Sequence, residues 1–62
     1  MNSGEKLRQL RGKRSKRKVA EDLGISFSSY VKYERGERVP SDKTKVLIAK
    51  YFKKSVQEIF FS

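Results

Sequence analysis

Apolar residues recur along this chain in short groups at helical spacing. Small polar residues precede the groups and glycines follow the first three. Leu7 and Leu10 fall at i, i+3, behind Ser3 as a candidate cap and ahead of Gly12. Val19, Ala20 and Leu23 form one helical face behind Ser15, and Gly24 closes it. Ile25 is followed by Ser26, a cap for a third helix in which Tyr30 and Tyr33 share a face and Gly36 is the stop. Val39-Pro40-Ser41 marks a break, because proline disfavours a helical conformation at Val39. Ser41 or Asp42 then caps a fourth helix to about Lys53, with Leu47, Ile48, Tyr51 and Phe52 as its apolar face. Ser55 caps a last short helix containing Val56, Ile59 and Phe60. Period-two alternation is absent. The pattern predicts an all-α fold: one domain over residues 1–62, a compact bundle of about five short helices without repeats or a linker.

The composition narrows this picture. The chain has 62 residues and neither cysteine nor histidine, so it has no disulfide and no histidine for a zinc site. Its stability has to come from an apolar core, with oligomerisation as a further source. Sixteen Lys and Arg against seven Asp and Glu give +9, a field that attracts polyanions such as DNA, RNA or acidic lipid. Six of the eight residues 11–18 are basic and none is acidic. Such a run opposes the dipole at a helix N-terminus, a cost that phosphate contact explains better than solubility does. No stretch is long and apolar enough to span a membrane, and no leader is visible, so the expected location is cytoplasmic. Glu21 and Asp22 are adjacent and so do not face each other. With no catalytic partner nearby, they read as solvated charges, and neither an enzyme, a cofactor nor a small-molecule ligand is expected.

The most specific feature is Val19-Ala20-Glu21-Asp22-Leu23-Gly24-Ile25-Ser26, followed by Tyr30, Tyr33, Glu34 and Gly36. Ala20 lets two helices approach. Gly24 permits a sharp turn, Ile25 plugs the corner and Ser26 caps the next helix. This is a helix, a short turn and a helix over residues 15–35, the arrangement that offers a second helix to the major groove.

With these residues in place, the chain resembles the Cro/phage-repressor type of helix-turn-helix domain, the xenobiotic-response-element family of regulators. The matching segments are Leu7-Arg8-Gln9-Leu10-Arg11, Ser15, residues 19–26, Glu34-Arg35-Gly36-Glu37-Arg38, Pro40-Ser41, Ile48-Ala49-Lys50-Tyr51-Phe52 and Glu58-Ile59-Phe60. The resemblance implies sequence-specific binding of double-stranded DNA by a transcriptional regulator, a repressor acting as a homodimer on a near-palindromic operator. It implies base reading by Phe27, Ser28, Val31 and Lys32 from the third helix. It assigns phosphate contacts to Lys16, Arg17, Ser26, Ser29, Arg35, Arg38 and Lys43. It also implies an ion pair from Arg11 to Glu34, and a dimer surface near the C-terminal end at Val56, Ile59 and Phe61.

The chain departs from the family pattern in three places. Lys16 stands where a glutamine is usual. The connection between Arg11 and Ser15 is about two residues short, so its turn is tighter. Lys45 occupies a position that is commonly apolar and buried, and its stem is expected along the core with the ammonium in water. Tyr30 and Tyr33 read as core rather than base-stacking residues. Phe27 reads as a groove contact or as partly packed. Of Phe60 and Phe61, one can enter the core while the other points elsewhere. Two other functional classes stay open: a protein-interaction module, such as an antitoxin or regulator-binding partner, and a non-specific binder of nucleic acid or acidic membrane.

Overall fold

A computed structural model describes residues 2–61. Its helices are α1 (Ser3–Arg11), α2 (Lys16–Leu23), α3 (Phe27–Arg35), α4 (Asp42–Phe52) and α5 (Val56–Phe60), with no strand among the described residues. Each start is set by a side-chain oxygen that accepts a backbone N–H three residues on. Ser15, Ser26, Ser41 and Ser55 serve α2 to α5 as the sequence predicts. The first cap differs. Asn2, not Ser3, accepts from the Glu5 N–H at 2.8 Å, so Ser3 becomes the first helical residue.

Gly4, in the first turn of α1, is buried against α3. A Cβ at Gly4 would run into the Glu34 carbonyl oxygen and come within 3.1 Å of that of Tyr33. The missing side chain lets the start of α1 rest on the backbone at the end of α3. Every helix contributes to one core: Leu7 from α1, Val19, Ala20 and Leu23 from α2, Tyr30 and Tyr33 from α3, Ile48, Ala49 and Phe52 from α4, and Ile59 from α5.

Arg14 builds the short connection after α1. Its guanidinium donates to the Arg11 carbonyl at 3.1 Å and the Leu10 carbonyl at 2.8 Å, satisfying acceptors that the end of α1 leaves free. It also lies over the rings of Tyr51 and Phe52, 5.4 and 5.3 Å from their centroids. Arg14 thus fastens the end of α1 to α4.

The inward stripe of α4 differs from the expected one. Lys45, Ile48, Ala49 and Phe52 follow the i, i+3, i+4, i+7 spacing of one face, and Leu47, on the other side, is 43% exposed. Lys45 therefore stands on the buried stripe, with a side chain only 13% exposed. Its ammonium lies among the groups at the C-terminal end. It sits 4.9 Å from the Phe61 ring centroid and 5.7 Å from that of Phe60, with Asp42 at 4.0 Å. Phe60 packs against the core, whereas Phe61 is 64% exposed. Ile59 is a correction: it is sealed in the core and cannot form part of an exposed dimer surface, while Val56 is half-buried.

Candidate nucleic-acid interface

The corner between α2 and α3 is made by three residues. Gly24 adopts φ 73°, ψ 28°, a left-handed conformation that costs glycine little, and its N–H and that of Ile25 close on α2 carbonyls. Ile25 packs against the core. Ser26 accepts the Ser29 N–H and starts α3. Tyr30 and Tyr33 turn inward and are buried, while Phe27, Ser28 and Lys32 face solvent. Val31 is half-buried and offers only part of its side chain outward.

α3 is held from behind by Arg11. Its Nε lies 2.7 Å from Glu34 Oε2 and a second nitrogen 3.3 Å from Oε1, a forked pair in which the Glu34 side chain is 4% exposed. The hydrogen bond to Glu34 holds the Arg11 guanidinium above its ordinary pKa. A third N–H of Arg11 reaches the Arg14 carbonyl at 2.8 Å. A pair this buried fixes the orientation of α3 more than it adds stability. The Tyr30 hydroxyl lies buried in the same interior, beside Glu34 and Arg11. Burial, reinforced by the Glu34 carboxylate, pushes its phenol up, so it stays neutral.

The basic run of residues 11–18 is therefore divided. Arg11 is part-buried on Glu34, and Arg14, though exposed, is occupied with the carbonyls at the end of α1. Lys18 pairs with Asp22 at 3.2 Å on the same helix. Lys16 and Arg17 remain at the N-terminal end of α2, whose first turn holds no acidic residue. Among the described residues, Lys16, Arg17, Lys32, Arg38 and Lys43 make no salt bridge.

Several of the sequence-predicted residues meet. The Arg17 guanidinium lies over the Phe27 ring, 4.6 Å from its centroid. Ser26 donates its hydroxyl to Ser29 Oγ at 2.8 Å, and Arg38 donates to the same oxygen at 3.3 Å. This draws the segment after α3 back to the start of that helix. Arg35 instead pairs with Glu37 at 3.0 Å on the surface. Lys43 is exposed in the first turn of α4, and among the described residues it makes no salt bridge.

Asp22 was not legible as a structural residue. It accepts the Tyr51 hydroxyl at 2.7 Å as well as the Lys18 ammonium, and so links α2 to α4. These two donors, Tyr51 first, hold its carboxyl below the usual range. The i, i+4 spacing from Lys18 was a visible signal, but the Tyr51 hydroxyl was hidden behind its role as an apolar residue.

Among the described residues no helix is long and apolar enough to cross a membrane, and no cluster of acidic, cysteine or histidine side chains is placed to hold a metal. A helix-turn-helix family model matches residues 5–59. No curated protein matches the chain.

Proposed function

Because the chain belongs to the Cro/phage-repressor type of helix-turn-helix domain, a family of DNA-binding transcriptional regulators, we propose that it recognises one duplex operator and represses transcription by occupying it. The family is a regulatory one rather than a family of enzymes. The reading places α3 in the major groove, with Phe27, Ser28, Lys32 and the outer part of Val31 on base edges. Lys16, Arg17, Ser26, Ser29, Arg35, Arg38 and Lys43 are assigned to the phosphates on either side. Arg35 has to exchange Glu37 for a phosphate to take part. A cytoplasmic, nucleoid-associated location goes with this activity.

One observation carries the proposal. α2 opens on Lys16-Arg17-Lys18 with no acid in its first turn, which is the wrong polarity for the helix dipole and the right one for phosphate. We assign a homodimer on a near-palindrome, joined through Phe61 and the exposed part of Val56, with Val46 alongside, since Phe61 and Val46 are large apolar side chains left in solvent.

Selection from a random duplex pool, followed by titration of the selected site at several salt concentrations, tests the reading. Lys32→Ala should relax preference at particular base pairs, at a cost of about 1–3 kcal/mol there. Lys16→Ala should weaken binding to every sequence and flatten the salt slope by roughly one. Equal losses on all sequences for both variants would remove the division into base-reading and phosphate-holding residues. A protein that selects nothing, and is displaced by random DNA, is a non-specific binder.

A further inference from the structure

The contact between Arg17 and Phe27 joins two residues that the reading above assigns to different tasks, one to phosphate and one to bases. Arg17 belongs to the first turn of α2 and Phe27 is the first residue of α3, so the contact spans both arms of the motif. It lies outside the core, since both side chains are exposed. An aromatic side chain in the first turn of a helix has no preceding turn to rest on, and without a neighbour it would sample several rotamers. Here a guanidinium 4.6 Å from the centroid covers one side of the ring, while 40% of the residue stays open to solvent.

We infer that Arg17 is a positioning residue for base readout: its guanidinium fixes the Phe27 ring so that the ring receives the C5-methyl group of one thymine. The inference rests on the DNA-binding reading above. The thymine methyl is the apolar feature of the major groove, and an aromatic ring is an apolar partner for it. A guanidinium over a ring still has N–H groups that the ring does not occupy, so Arg17 can hold the ring and also donate to a phosphate. Lysine provides the charge without the flat plate. The consequence is that Arg17 contributes to sequence preference, and its loss is not felt equally on all DNA.

Deoxyuridine differs from thymidine at this position only by the methyl group. Once a preferred site has been selected, each thymine is replaced by deoxyuridine in turn, and binding is measured by fluorescence anisotropy. The wild-type protein, Phe27→Ala, Arg17→Lys and Lys16→Ala are compared, with circular dichroism confirming that each is folded. The wild type should lose about fourfold in affinity at one thymine of the half-site, the value of one buried methyl. In Phe27→Ala that ratio should fall to one. In Arg17→Lys it should fall below about twofold, whatever the overall affinity, whereas Lys16→Ala should bind both duplexes more weakly and keep the fourfold ratio. An Arg17→Lys protein that keeps the full ratio overturns the inference. So does a wild type that prefers a sequence yet is indifferent to all its thymine methyls, and that result leaves specific DNA binding standing. A selection without any preferred sequence defeats the DNA-binding reading itself, and the inference with it.

Discussion

Single residues decide how closely the helices meet, and the clearest case is Gly4. Gly4→Ala should destabilise the protein by about 1–3 kcal/mol, because the new methyl meets the backbone of Glu34 and Tyr33, which cannot rotate away. Thermal unfolding measures this, and an unchanged midpoint would show that α1 can shift without loss. Nothing in the sequence singled out Gly4, because a close approach is a property of two helices and only one of them is local. The Arg11–Glu34 pair, in contrast, was expected through the resemblance, and it joins those two residues at 2.7 Å. Tyr30 and Tyr33 were readable as core from their shared face beside the corner. Arg14 and Lys45 were not readable in their actual surroundings. A basic side chain reports its charge in the sequence but not which aromatic rings the fold brings above or below it.

Helix starts were legible to within a residue at the element scale, because a serine cap acts on N–H groups of its own first turn. The inward face of α4 was less legible. Ile48, Tyr51 and Phe52 pack inward as expected, but Lys45 and Ala49 complete the stripe in place of Leu47. The union of α2 with α4 through Asp22 and Tyr51 has a pH signature. The carboxyl of Asp22 is held below its ordinary value of 3.8, by Tyr51 first and Lys18 second. At the start of α5, the Ser55 backbone N–H holds Glu58 below 4.5 in the same way. In both cases the folded protein binds its proton less readily than the unfolded chain. Their stabilisation is therefore full above those ordinary values and disappears as pH falls through the lower folded ones. Melts of wild type and Asp22→Asn should differ at neutral pH and converge as the pH falls below about 3.8. A constant gap across that window would show that the carboxylate charge is irrelevant to the α2–α4 contact.

At the scale of the whole molecule, the described residues span 25 × 22 × 19 Å, small for a net charge of +9. Among the described residues, salt bridges join Arg11, Lys18, Arg35 and Lys45 to Glu34, Asp22, Glu37 and Asp42. Much of the positive excess therefore stays available to a polyanion. Association is expected through the C-terminal end, where Phe61 lies in solvent on the Lys45 ammonium. Phe61→Ala should move the protein toward the monomer in sedimentation equilibrium and weaken binding to a two-half-site duplex more than to a single half-site. An unchanged mass would remove Phe61 from the dimer assignment. The two sides of α3 lead further. The side that braces the helix uses Tyr30, Tyr33 and Glu34, and the side turned outward uses Phe27, Ser28 and Lys32. Only the half-buried Val31 lies between the two sets. Under the proposed base readout, the molecular address can therefore be rewritten at Phe27, Ser28 and Lys32, by evolution or by an engineer, while the machinery that holds the helix upright is left as it is.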